Sequence, residues 1–144
     1  MKSSKNWVIN ISINQSPSSN HNPIVTWGSR LTGAGLIVLG LHVFLPDLAA
    51  WGYGVTPLDA NGKAYLVAAG ARDLSLGLMT LYLLKYHRFT LGVFFLFMLI
   101  IPIADTFIVL NHGTSAWKIF PHAAGLIVIS VISYLAFQER KSGV

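Results

Sequence analysis

Four long apolar stretches constrain the fold of this chain more than any other feature of its sequence. They cover about residues 31–51, 64–84, 89–110 and 119–138. A bilayer core about 30 Å thick takes about 20 helical residues, because each residue advances a helix by about 1.5 Å. Open strands would leave unpaired backbone groups in lipid, so we expect every stretch to be a helix. The sequence therefore predicts an all-α integral membrane four-helix bundle.

Composition favours the same class of protein. Charged residues are 10% of the 144-residue chain and hydrophobic residues 53%, whereas a soluble domain carries about 25% charged residues. The formal net charge is +5, but the basic residues flank the apolar stretches and form no stripe interleaved with aromatic residues. We therefore expect the lipid bilayer, and no nucleic acid, as a partner. The absence of cysteine excludes disulfides and thiolate chemistry.

The basic residues also predict the orientation. Residues 1–23 are polar and are expected to form a cytoplasmic tail before a transmembrane domain at 24–141. Both termini are placed in the cytoplasm (N-in/C-in), because this puts seven basic residues inside and two outside, in agreement with the positive-inside rule. The inner basic residues are Lys2, Lys5, Arg30, Lys85, Arg88, Arg140 and Lys141, and the outer ones are Lys63 and Lys118. An aromatic belt is expected at the outer membrane interface, and it would contain Trp51, Tyr53, Tyr65, Trp117 and Phe120.

Short connections and small residues predict how the helices pack. Residues 85–88 connect the second and third stretches, so these helices are expected to be antiparallel neighbours. Gly33 and Gly40 are seven residues apart in the first stretch, and Gly70 and Gly77 share a face of the second. Such glycines let helices approach closely in membranes. Nothing in the sequence determines the oligomeric state, and a homo-oligomer is compatible with it.

Three charged residues lie inside the apolar stretches. They are Arg72 and Asp73 in the second stretch and Asp105 in the third. A charge at the bilayer centre costs about 2.5–3.5 kcal/mol on insertion scales, so such residues are expected to meet a partner or to serve a function. With the predicted orientation they lie in the outer half of the bundle. We expect three histidines to join them there, while the inner half contributes almost no polar group; the histidines are His42, His112 and His122.

Two interpretations of this outer cluster stay open. In one, the cluster is the polar end of a pocket for a lipophilic molecule, quinone-like or terpenoid-like. Arg72, Asp73, His122 and His42 would then bind the ligand, and Asp105 with His112 or His122 would exchange protons. In the other, the chain is a structural or accessory subunit in which Arg72 pairs with an aspartate and locks the helices in register. Whether the chain is an enzyme is left open.

Two further possibilities have less support. A proton or solute conductor would need polar residues in the inner half as well. His42, His112, His122 and Asp105 are donor types that suit zinc or iron, and two histidines can hold a haem. However, no compact ligand spacing such as HExxH occurs. We therefore predict no metal and no cofactor.

Four segments of the chain carry a family resemblance, and within them two spaced motifs are the most specific. Gly-x-Arg-Asp-x-x-x-Gly begins at Gly70, and Pro-x-x-Asp-x-x-x-Val-x-x-x-His-Gly begins at Pro102. With His122 at the start of the last stretch, the chain resembles the small four-helix membrane proteins of domain-of-unknown-function family 4267, related to DoxX-like proteins. The resemblance covers about residues 30–137 and implies a four-helix protein of the bacterial inner membrane. It implies no reaction. The segments are Phe44–Val55, Ala64–Leu78, Ile101–Gly113 and Pro121–Gly125.

Overall fold

The computed structural model describes residues 21–45, 53, 60–111 and 116–142. Within them the chain forms four long helices and no strand, which confirms the prediction of an all-α bundle. Each helix is long and apolar enough to cross a membrane. Short 3₁₀ turns follow the first helix and precede the last, at His42–Phe44 and Ala116–Ile119. The helices are α1 (Pro23–Leu41), α2 (Ala60–Tyr86), α3 (Arg88–Asn111) and α4 (Phe120–Ser142).

The helix ends differ from the bounds that hydropathy predicted. α1 begins at Pro23 rather than near residue 31, because the Asn22 side chain accepts a hydrogen bond from the backbone N–H of Ile24 at 2.9 Å. Proline suits the first helical position, where its missing N–H would have no partner anyway. α1 ends at Leu41, and residues 46–51 of the predicted first helix lie outside the described residues. Hydropathy marks the apolar part of a helix, whereas capping decides where the helix begins.

Glycines join α1 to α2 along an antiparallel contact. A Cβ added to Gly77 would lie 2.6 Å from the carbonyl oxygen of Gly33, and one added to Gly40 would lie 2.7 Å from that of Gly70. Gly33 thus faces Gly77 and Gly40 faces Gly70. Residue numbers fall along α2 as they rise along α1, so the two helices run in opposite directions. Only hydrogen atoms fit between these backbones, and the predicted packing role of the glycines is confirmed.

α3 and α4 form the second antiparallel pair. Ser133 Oγ of α4 donates a hydrogen bond to the Gly92 carbonyl of α3 at 2.9 Å. α3 is interrupted at Leu99, between Arg88–Met98 and Ile100–Asn111. Pro102 lies one turn further on and has no N–H to donate to Met98, which explains the interruption. α1 thus packs mainly on α2, and α3 mainly on α4.

The two pairs meet over an apolar core in one half of the bundle. We call the end where α1 begins and α4 ends the terminal end, and the opposite end the site end. Large apolar side chains on the outer faces of all four helices stay exposed, including Leu31, Leu78, Phe107 and Ile127. Lipid is the solvent that such a surface requires, so the chain is a multi-pass membrane protein. The core contains Val25, Leu83, Leu91, Phe95, Met98, Ile129, Ile132 and Ala136.

Candidate functional site

A cavity of about 160 Å³ lies between the four helices, beside the core and toward the site end. Its wall is mainly apolar, and its polar side chains come from α2, α3, α4 and the α1–α2 connection. The apolar lining includes Leu36, Leu39, Leu76, Met98, Ile101, Pro102 and Ile129, and the polar lining consists of Tyr53, Arg72, Asp73, Asp105 and His122.

Asp73 is the buried centre of the polar lining. Arg72 Nε donates to its Oδ1 at 2.8 Å, and the Tyr53 hydroxyl donates to its Oδ2 at 2.8 Å. The Asp73 side chain is only 3% exposed, so these two donors replace the water that the carboxylate gives up. Burial and the hydrogen bond to Asp73 raise the pKa of Tyr53, which therefore stays protonated and able to donate.

Asp105 connects this pair to the remaining helices. Arg72 Nη2 lies 3.4 Å from Asp105 Oδ2, which links α2 to α3. His122 Nδ1 of α4 lies 4.0 Å from the same oxygen, close enough for an ion pair with a protonated ring but too far for a hydrogen bond. The other ring nitrogen, Nε2, is buried and has no hydrogen-bond partner. An unsatisfied buried nitrogen costs about 1–3 kcal/mol of stability.

The charges of the cluster do not cancel if both aspartates are ionised. With Asp73 and Asp105 ionised, one guanidinium faces two carboxylates, and the cluster carries one negative charge. A net charge is unfavourable in surroundings of low dielectric constant. His122 is the neighbouring side chain on α4, 4.0 Å from Asp105.

The structure brings together four of the six predicted site residues: Arg72, Asp73, Asp105 and His122. His42 lies in the 3₁₀ turn after α1 and does not line the cavity. His112 falls outside the described residues, so its predicted role in proton transfer stays a prediction. Within the part of the chain that the structure describes, no three His, Asp or Glu side chains are grouped to hold a metal ion.

Tyr53 is a site residue that the sequence did not indicate. A tyrosine between two apolar stretches is typical of an interfacial belt, and we expected it there. The structure instead buries it to 9% exposure against Leu66 and Ala69, with its hydroxyl on Asp73. A second void of about 20 Å³ adjoins the same cluster, lined in part by Tyr53, Tyr65 and His122. It is large enough for one water molecule.

The expectation that the inner half lacks polar groups is corrected at the terminal end. Arg88 donates to both oxygens of Glu139, from Nε at 2.9 Å and from Nη2 at 3.0 Å. The backbone N–H of Asn22 donates to Glu139 Oε1 at 2.6 Å, and Arg88 Nη2 also donates to Thr26 Oγ1 at 3.0 Å. This terminal ion pair joins α1, α3 and α4. The sequence predicts Arg88 as an inner charge, but nothing in it pairs this residue with Glu139, 51 residues away.

Comparison with known proteins gives one match. The family model described as "Domain of unknown function (DUF4267)" matches residues 33–136. No curated protein matches the chain, and no solved structure does. The matched range contains the four cavity residues of the ion cluster, whereas Asn22 and Glu139 of the terminal ion pair lie outside it.

Proposed function

Because this chain belongs to the DUF4267 family, whose description names no reaction, we propose from its cavity that it binds the polar ring end of a small lipophilic molecule. One observation carries the proposal. An apolar cavity between membrane helices is lined at one end by a guanidinium, two carboxylates and an imidazole ring. Pockets of this kind, mostly apolar with a few convergent polar groups, are typical of small-molecule sites.

The size of the cavity limits what can occupy it. At about 160 Å³ it is similar to an engineered cavity of about 150 Å³ that holds one benzene molecule. Sites for whole drug-sized molecules occupy about 300–1,000 Å³. The cavity therefore accommodates one six-membered ring with its oxygen substituents, as in a quinone-like or cyclic terpenoid-like molecule. Any tail would leave between the helices and lie in the lipid.

The polar lining suits an oxygen on such a ring. Arg72 offers charged N–H donors to a carbonyl or an anion, and its side chain is 32% exposed. The His122 imidazole also lines the cavity, and an imidazole can accept a hydrogen bond from a hydroxyl or donate one to a carbonyl. Asp105 beside His122 would exchange a proton with the bound oxygen. Eight buried apolar residues lie between this cluster and the terminal ion pair. Within the described residues they leave no polar path for protons or solutes through one chain, which favours binding over conduction.

Two glycines provide a matched test. A Cβ added to Gly125 or to Gly35 meets no atom within 4 Å, but only Gly125 lines the cavity. Gly125→Leu should fill part of the cavity and Gly35→Leu should not, while both gain helix propensity. Purified protein in detergent would be melted with and without a short-chain benzoquinone or a monocyclic terpene alcohol, since a ligand that binds the folded state raises Tm.

We expect one of these probes to raise the Tm of the wild type and of Gly35→Leu but not that of Gly125→Leu. If neither probe changes the Tm of the wild type, these two classes of molecule are excluded as ligands. An undiminished shift in Gly125→Leu would place the ligand outside the cavity, and the proposal would then be wrong.

The ion cluster also favours a second candidate, a structural or accessory subunit. Arg72 touches both aspartates, and its 3.4 Å contact with Asp105 connects the α1–α2 pair to the α3–α4 pair. A lock between helices requires nothing more than these contacts. It would need neither the cavity nor the unpaired nitrogen of His122, which is why we place binding first.

A further inference from the structure

We propose that a groove at the terminal end binds the headgroup of an acidic phospholipid. This groove has a volume of about 460 Å³, within the range of small-molecule sites. It lies over the connection between α2 and α3 and against the end of α4. Its polar lining includes Lys85, His87, Arg88 and Glu139, and its apolar lining includes Leu84 and Phe89.

The charges that line the groove favour an anion. Glu139 is the only carboxylate among the lining residues that the structure describes, and Arg88 donates to both of its oxygens. Lys85 lies 4.8 Å from the centre of the Tyr86 ring, and no carboxylate of the described residues is within 4.0 Å of it. The pair of Arg88 and Glu139 is neutral, so the Lys85 ammonium makes the groove positive. His87 and His21 also line it.

The backbone beside Lys85 adds further donors. His87 precedes α3 and makes no side-chain hydrogen bond that caps the helix. The first N–H groups of a helix have no partner within it, and they carry the positive end of the helix dipole. Arg88 and Phe89, the first two residues of α3, line the same groove as Lys85.

The position of the groove favours a lipid over a soluble anion. Two membrane-spanning helices meet at it, since α2 ends at Tyr86 and α3 begins at Arg88. Tyr86 and Phe89 are 58% and 59% exposed, as expected of aromatic side chains at a membrane interface. A phospholipid there would place its phosphate beside Lys85 and its acyl chains against the apolar surface. Basic residues at a membrane surface attract anionic lipids by about 1 kcal/mol each.

Native mass spectrometry can test this proposal on the full chain in detergent. The probes are phosphatidylglycerol and phosphatidylcholine with identical acyl chains. We expect the wild type to retain phosphatidylglycerol preferentially, and Lys85→Gln to weaken that retention about fivefold, which corresponds to about 1 kcal/mol. Lys85→Arg, which keeps the charge, should bind like the wild type.

Lys118→Gln is the matched control, because this lysine lies at the site end. It removes the same charge from the chain and should leave phosphatidylglycerol retention unchanged. Equal retention of the two lipids by the wild type, or equal weakening in the Lys85 and Lys118 variants, would overturn the proposal. Displacement by an equal concentration of soluble glycerol phosphate would also overturn it, because the site would then select a free anion.

Discussion

Three variants measure how much the buried pair contributes to the free energy of unfolding: Arg72→Leu, Asp73→Leu and the double variant. Arg72→Leu leaves the Asp73 carboxylate, 3% exposed, with Tyr53 as its donor. Breaking a buried ion pair in this way costs about 3–5 kcal/mol. Asp73→Leu leaves Arg72 with Asp105 at 3.4 Å and partial contact with solvent, so we expect a smaller loss of about 1–3 kcal/mol. The double variant removes both charges of the pair, and Asp105 keeps His122 as its neighbour at 4.0 Å.

The double variant should therefore lose less stability than the sum of the two single losses, by about 0.5–3 kcal/mol. Unfolding in mixed micelles with increasing SDS, followed by tyrosine and tryptophan fluorescence, gives the three free energies. If the losses simply add, the 2.8 Å contact does not stabilise the folded state and our account of the cluster is wrong. The same double variant separates the two functions, because a helix lock predicts unchanged behaviour once stability is recovered, whereas a binding site predicts loss of the probe-induced Tm shift.

Two further predictions concern packing and the buried tyrosine. Gly40→Ala should destabilise the protein by about 1–3 kcal/mol, since the added Cβ would lie 2.6 Å from a backbone nitrogen of α2. Gly35→Ala, with open space around it, should stabilise the protein by up to about 1 kcal/mol. Thermal melts in detergent compare the two variants, and a higher Tm for Gly40→Ala would contradict the close α1–α2 contact. Tyr53→Phe should lower the free energy of unfolding by about 1–3 kcal/mol, because Asp73 loses a hydrogen-bond donor. Tyr65→Phe, at a half-exposed position, should lower it less. Equal Tm values for the two variants would show that the Tyr53 hydroxyl does not stabilise the Asp73 carboxylate.

The fold was predictable from the sequence because lipid leaves few alternatives. An apolar stretch of about 20 residues in a membrane must be helical, and four such stretches must pack against one another. The helix ends were harder to predict from the sequence, because α1 is capped by Asn22, which lies in a polar segment that hydropathy assigned to the tail. α2 also starts earlier than predicted, at Ala60, so that Arg72 lies twelve residues, about 18 Å, from its beginning.

The site was predictable where charge was involved and hidden where it was not. Arg72, Asp73 and Asp105 meet because isolated charges are costly in lipid, and that cost can be read from the sequence. Tyr53 is neutral and lies outside the apolar stretches, so no periodicity relates it to Asp73, 20 residues away. The unpaired nitrogen of His122 depends on ring orientation and packing. Such geometry follows only from the assembled helices.

The two ends of the bundle differ in how much they contribute to stability. The terminal end holds the apolar core and a charge pair with 2.9 Å and 3.0 Å hydrogen bonds that joins three helices. The site end has a cavity, a longer 3.4 Å contact and an unsatisfied nitrogen, all of which reduce stability. The interruption of α3 before Pro102 falls between them, where the core gives way to the cavity. A protein that served only as a packed spacer would gain by filling that cavity, whereas one that binds a ligand there must keep it open and place its stability elsewhere.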